Sequence, residues 1–330
     1  MRLKIIITAM AAFLIGAFCF AKFSSYPMVW LTRFLFELKP YTMPENYDEL
    51  KSNIEIIRNI NYQSKYKNGV LDIIKPAVIT GREKLIFYTH GGGFIEGDKT
   101  NVEHYFVMLA NEGFVTVNIN YALAPEHASY PQPVHQLQEA YTFIKEHSAQ
   151  YSLNINDVYF SGDSAGGQLS AQFVAMQTNP GYLSLMNSSG NGQFDSVVAQ
   201  GTIRGILLFC ALYDFEQMVN PPPDTIKLPL AKLGLAYFKN IDPENKNIAL
   251  ACITDKVTEN FPRAFVTDGN SNSFEFQAKE FVKKLQSLNV PVASVFYNKD
   301  EVQLGHVYQF FMDNPYALKT YQKVLEFLKE

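Results

Sequence analysis

Cysteine is scarce, with three in 330 residues: Cys19, Cys210 and Cys252. That count excludes a disulfide-built scaffold. No Cys/His spacing suits a zinc site, and no G-x-x-x-x-G-K-[ST] phosphate loop occurs. Positive charge is also short, 28 Lys and Arg against 32 Asp and Glu. With a net charge of −4 and no basic stripe, nucleic acid is not an expected partner. Internal repeats are lacking. Cys210 lies in the apolar run 206–212 and reads as a buried thiol; pairing with Cys252 in an oxidising compartment is the alternative.

Long apolar runs are missing too, except at the start. Arg2 and Lys4 precede residues 5–21, an uncharged apolar run of 17 residues. This is the pattern of a signal peptide over residues 1–22, or of a single membrane anchor. Residues 28–36 are apolar apart from Arg33, which keeps the anchor reading open. A lipoprotein reading at Cys19 is disfavoured by Phe18, where a small residue is expected. The charge bias at the start places the rest of the chain outside the cytoplasm, anchored or secreted.

What is present is alternation. Residues 70–74, 84–89, 114–119, 157–161, 203–212, 263–267 and 292–297 read as strands. Residues 101–111, 133–147, 165–177, 274–288 and 316–328 read as helices. Strand–helix alternation predicts an α/β fold, a mostly parallel sheet with helices on both faces. Apolar residues make up 47% of the chain, enough for one large domain over residues 23–330. Two segments break the alternation, about 23–66 and 213–260. The second holds Pro221-Pro222-Pro223 and an apolar stretch at 228–238. Inserted apolar helices of this kind act as a cap over a pocket.

Two glycine motifs each follow an apolar strand-like run: His90-Gly91-Gly92-Gly93-Phe94 and Gly162-Asp163-Ser164-Ala165-Gly166-Gly167. G-x-S-x-G after a strand describes a nucleophile elbow. Its Ser sits on a strand-to-helix turn so tight that only small neighbours, Gly162 and Gly166, let the chain pass. The run after His90 leaves backbone N–H groups uncovered. Those of Gly91 and Gly92, with that of Ala165, are expected to meet a developing oxyanion. Each motif alone is also compatible with a plain reversing turn; their order and strand-end placement together point to hydrolysis.

The remaining partners follow from order, nucleophile, then acid, then His. Of six histidines only His306 follows Ser164, in a loop between the last strand and the last helix. Asp268, at the end of the strand 263–267, is the expected acid. Asp214, after the strand 203–212, competes with it. Either Asp also suits a simple turn.

These motifs, with Asn120-Tyr121-Ala122-Leu123-Ala124-Pro125-Glu126-His127 between them, resemble the hormone-sensitive-lipase-like esterases of the α/β-hydrolase superfamily. The resemblance covers about residues 70–330. It implies an α/β-hydrolase fold, a Ser164/Asp268/His306 triad and a Gly91/Gly92/Ala165 oxyanion hole. It further implies a cap and ester hydrolysis with no metal or cofactor. Asn120 and Ala122 stand where the family has Asp and Arg. Asp268-Gly269-Asn270 stands for D-P-L, and Val307 for a Gly. The expected substrates are short- to medium-chain acyl esters. Amide or formamide hydrolysis by the same triad is an alternative. A ligand-binding relative without activity is another, which the presence of His306 opposes.

Overall fold

Five apolar runs form the centre of a sheet because each is buried on both faces, as parallel strands between helix layers must be. They are β3 (Leu85–Thr89), β4 (Val115–Ile119), β5 (Val158–Asp163), β6 (Ile203–Phe209) and β7 (Ala264–Thr267). With β1 (Ile54–Asn61), β2 (Val70–Pro76) and β8 (Val292–Val295) they make eight strands in the order β1-β2-β4-β3-β5-β6-β7-β8. From β4 to β8 every pairing is parallel; β2 joins β4, and β1 joins β2, antiparallel. This is the expected α/β architecture. It comes from a computed structural model that describes residues 20, 24–37, 41–218, 230–242 and 244–330.

The principal helices are α1 (Tyr26–Glu37), α2 (Tyr47–Ser52), α3 (Glu103–Asn111), α4 (Gln132–Glu146), α5 (Ser164–Thr178) and α6 (Pro180–Ser188). They continue with α7 (Leu230–Phe238), α8 (Lys246–Ala251), α9 (Glu275–Ser287) and α10 (Pro315–Lys329). The sheet separates two cores. On one face Leu137, Phe173 and Phe281, from α4, α5 and α9, pack with Phe87, Val117 and Phe160. On the other, Phe106 of α3 and Val324 of α10 pack with Ile86, Tyr88 and Leu207. Each fully buried side chain of this size contributes about 1.5–3 kcal/mol.

The segment 23–66 is not all cap, which corrects the sequence expectation. Residues 54–61 form the edge strand β1. Its polar, irregular pattern hid it: Arg58 and Asn59 interrupt the alternation, and the register shifts between Ile57 and Ile60, where Asn59 has φ +56°. Most of the apolar run 5–21, the source of the signal-or-anchor expectation, lies outside the described residues, and so does Pro221-Pro222-Pro223. Among the described residues no helix is long and apolar enough to cross a membrane.

Ion pairs fasten the β1 edge. Asp72 on β2 is buried and accepts from the Asn59 N–H at 2.7 Å, from Arg58 at 3.1 Å and from the buried Lys99 at 3.2 Å. Glu103 on α3 holds the same Arg58 at 2.6 Å and Lys51 of α2 at 3.1 Å. Removing one partner of a buried pair leaves the other charge uncompensated, at about 3–5 kcal/mol. Asp72→Ala is therefore expected to lower unfolding stability by about that much, read as a lower denaturant midpoint at unchanged slope.

Candidate active site

Strand β5 ends at Asp163 and helix α5 begins at Ser164, with no connecting residue. The chain turns through Ser164 itself, at φ +48°. A non-glycine residue held there costs on the order of 1–3 kcal/mol, a strain that surrounding packing must sustain. The packing is tight: a Cβ added at Gly166 would lie 2.1 Å from the Thr89 oxygen and 2.3 Å from that of His90. Only glycine lets α5 start directly against the end of β3.

His306 sits in the loop after β8 and places Nε2 2.9 Å from Ser164 Oγ, across 142 positions of sequence. Both residues line one cavity of about 1200 Å³ at the carboxyl ends of the strands. Val307, next to His306, has φ +56°, an unfavourable region for a β-branched residue. That accounts for the expectation of glycine at this position. The Val307 N–H donates to Cys210 Sγ at 3.2 Å.

On the far side of the imidazole lies a residue that the sequence reading missed. Nδ1 of His306 is 2.8 Å from Ser273 Oγ, and the Ser273 hydroxyl donates to Asp268 Oδ1. One tautomer satisfies the whole line. Nδ1–H donates to Ser273, Ser273 donates to Asp268, and Nε2 is left to accept from Ser164. Asp268 is therefore brought to His306 through a hydroxyl, while its Oδ2 has no hydrogen-bond partner among the described residues. Asp214 stands elsewhere: its Oδ1 accepts from the Glu216 N–H at 2.8 Å and bonds Cys252 Sγ at 3.3 Å. The only sequence signal for Ser273 was its place five residues after Asp268, in a loop returning to the strand end.

Burial shapes the charges. It pushes His306 down to about 4, so the imidazole is neutral and able to accept a proton at neutral pH. Burial also pushes Asp268 up to about 7, opposed by bonds from Ser273, Cys210 and the Phe274 and Gly269 N–H groups. Cys210 Sγ, an Asp268 oxygen and a His306 ring nitrogen lie within 4.8 Å of one another. Burial holds that thiol well above its usual value, so it is protonated and acts as a donor toward its neighbours. Cys210 and Cys252 are both free.

The glycine loop after β3 corrects one expected donor. The Gly91 N–H is already bound, donating to Asp163 Oδ1 at 2.7 Å. Tyr88 Oη–H donates to the same oxygen, and burial pushes Asp163 up to about 6. Asp163 thus fastens the loop to the elbow. The N–H groups of Gly92 and Gly93, by contrast, meet no acceptor among the described residues. Gly92 has φ +109°, and a Cβ there would lie 2.0 Å from the Glu96 oxygen. Ala165 lies in the first turn of α5, where N–H groups lack intrahelical acceptors. His90 backs the loop, stacked on Tyr121 with centroids 4.4 Å apart, and the Tyr121 hydroxyl donates to the His90 oxygen at 3.0 Å.

Two groups of apolar residues line the cavity with Ser164. Phe94, Leu212, Phe215 and Leu233 form one, with Leu233 projecting from α7 inside the segment expected to be cap. Tyr41, Met43 and Phe311 form the other. Among the described residues no lysine or arginine lines the cavity. The Asn120 that replaces an expected Asp still binds tightly. It accepts from the Lys99 N–H and donates to Asp98, both at 2.6 Å.

A sequence model of the α/β hydrolase fold matches residues 86–307. Acetyl esterases of Salmonella dublin and Salmonella typhi are 24% and 29% identical over 219 residues, 64% of this chain. That match spans 62% of the length of those relatives. Among solved structures, esterase B of Lactobacillus rhamnosis superposes with a TM-score of 0.75 at 17% identity, covering 92% of this chain and 95% of that one. An esterase of Pyrobaculum calidifontis superposes with 0.66 at 19% identity, covering 91% and 92%. At these identities the structures show a shared fold.

The Ser273 hydroxyl is one of the bonds that hold Asp268 down, so Ser273→Ala is expected to move the Asp268 carboxyl further up, above about 7. A carbon-13 titration of that carboxyl reads the shift. An unchanged midpoint would show that the hydroxyl does not couple to the acid.

Proposed function

The chain belongs to the α/β-hydrolase fold family, and from that premise we propose that it is a serine carboxylesterase working through Ser164, His306 and Asp268. The observation that carries the proposal is the 2.9 Å contact between the strained elbow serine and a neutral imidazole. His306 takes the Ser164 proton as the hydroxyl attacks an ester carbonyl. The carbonyl oxygen becomes an oxyanion facing the N–H groups of Gly92, Gly93 and Ala165, each worth about 2.7–4 kcal/mol to the barrier. The N-terminus of α5 adds favourable potential. His306 then protonates the leaving alcohol, and water repeats the sequence on the acyl-enzyme.

In this reading Asp268 stabilises the imidazolium through the Ser273 hydroxyl. Burial disfavours either charge alone; when His306 takes the Ser164 proton, a carboxylate already ionised at Asp268 offsets the new imidazolium charge. The expected substrates are neutral esters of short to medium acyl chain. The apolar cavity without lysine or arginine, and the relatives named as acetyl esterases, support that class. Residues 1–22 serve as signal or anchor, and the catalytic part works outside the cytoplasm. The N-terminal helices and residues 213–260 form the cap.

Ser164→Ala is expected to abolish turnover with the fold intact. Asp268→Asn lowers kcat by on the order of 10⁴ if it acts as acids in other triads do, and Asp214→Asn does far less. The opposite ranking overturns the acid assignment. With p-nitrophenyl esters of graded length the rate falls beyond medium chains, and it exceeds that on the matching anilide. Fractionation of the host places the protein in the membrane or secreted fraction; a cytosolic chain defeats the localisation.

A further inference from the structure

Helix α1 is fastened on one side only. Val29 and Thr32 are fully buried beneath it. Arg33 reaches under it to the Ile95 oxygen at 2.8 Å, the Ala124 oxygen at 3.2 Å and both oxygens of Glu126 at 2.9 Å. These bonds set which face the helix turns outward. That face carries Trp30, Leu31, Phe34 and Leu35, at the i, i+1, i+4, i+5 spacing of one helical stripe, exposed by 56%, 48%, 57% and 44%. Ten large apolar side chains stand exposed among the described residues, and six of them lie between Phe20 and Phe36. Such a concentration marks an interaction surface, unlike single scattered residues.

Three observations identify what covers it. First, the stripe comes shortly after the apolar run 5–21 that follows Arg2 and Lys4, with Lys22 between them. Phe20, from that run, lies with its ring 6.4 Å from Trp30, and Tyr26 flanks Trp30 at 5.9 Å. Second, the only charge from Phe23 to Phe36 is Arg33, which Glu126 neutralises. Nothing there repels an apolar or anionic surface. Third, Leu35 and Phe36 at the end of the helix, and Met43 beyond it, are exposed and also line the cavity of Ser164 and His306. The stripe runs into the mouth of the site. Tryptophan, phenylalanine and leucine on one face are the composition of a helix lying in a bilayer interface, its apolar side sunk about 5–10 Å. At 12 residues α1 is too short to span a bilayer.

We propose that the Trp30/Leu31/Phe34/Leu35 face docks on a lipid bilayer, and that esters dissolved in the lipid enter the cavity past Leu35, Phe36 and Met43. The entry route rests on the esterase reading above; the docking does not.

Trp30 is the single tryptophan of the chain, so its fluorescence reports this face alone. The experiment uses the full chain with phosphatidylcholine vesicles, plain or brominated on the acyl chains. Docking is expected to lower Trp30 emission roughly two-fold or more in the brominated vesicles and to shield it from aqueous iodide, as for an indole at the acyl boundary. Emission equal in both vesicles overturns the docking. Iodide quenching then shows the face in water, a dimer shows it covered by a second copy, and a shielded monomer shows the N-terminal run folded over it. The route is read separately with Leu31→Ser and Phe34→Ser, neither of which lines the cavity. Each is expected to keep hydrolysis of a water-soluble ester while lowering that of a vesicle-borne ester by about tenfold. Equal rates on both esters overturn the route. Absence of hydrolysis in the wild-type chain, with Trp30 quenched by bromine, refutes the esterase reading and leaves the docking standing.

Discussion

Everything at the site depends on how closely helix α5 starts against the end of strand β3. Gly166 passes beneath the Thr89 and His90 oxygens at a distance that excludes any side chain. Asp163, the last residue of β5, reaches across the same gap to hold the Gly91 N–H. One contact therefore positions two chain segments that lie more than seventy residues apart. The elbow serine and the pinned glycine loop both line the cavity. A carboxylate at Asp163 accepts the Gly91 and Tyr88 bonds more strongly than a neutral acid does. Those bonds counter the burial that pushes its carboxyl up.

The acid side of the site follows a different logic. Asp268 and His306 are not directly bonded; a serine hydroxyl lies between them. A hydroxyl both donates and accepts, so it transmits the orientation of the carboxylate to the ring without bearing charge. The cost of burying Asp268 is then offset by several weak donors, Ser273, Cys210 and two backbone N–H groups, rather than by one strong ion pair. The strained φ at Val307 and the positive φ at Cys210 belong to the same packing, since the Val307 N–H meets the Cys210 sulfur. Backbone strain here is part of how the His306 loop is held over the serine.

The segments outside the strand–helix alternation link the site to its surroundings. Helix α7 contributes Leu233 to one wall. Helix α1 contributes Leu35 and Phe36 to the mouth, and Trp30 of its outward stripe lies beside Phe20. Both helices come from segments that broke the strand–helix alternation. Interruptions in a regular α/β pattern are where pocket walls are made, because the sheet itself has both faces filled.

The amino-acid sequence determined the α/β class, seven of the eight strands, and the placement of Ser164 and His306. The physical reason is local: a buried parallel strand must be a short apolar run, and an elbow must be Gly-x-Ser-x-Gly. Where local signals were weak, the sequence was silent or misleading. Strand β1 alternates poorly because it is an edge strand whose isoleucines are only partly buried, Ile54 and Ile56 against one core and Ile57 and Ile60 against the other, with ion pairs at Arg58 between them. Gly91 looked like an oxyanion donor because nothing in a glycine run reveals that Asp163, seventy-two positions on, takes its N–H. Asp268 and Asp214 both stood at strand ends, and only folding put Ser273 between Asp268 and His306. The exposed stripe of α1 was equally invisible: the apolar residues 28–36 kept an anchor reading open, and which of them turn outward depends on the packed side of the helix. Local geometry is written in neighbouring residues; hydrogen-bond partners and exposed faces are settled by contacts between distant ones, and those exist only once the chain has folded.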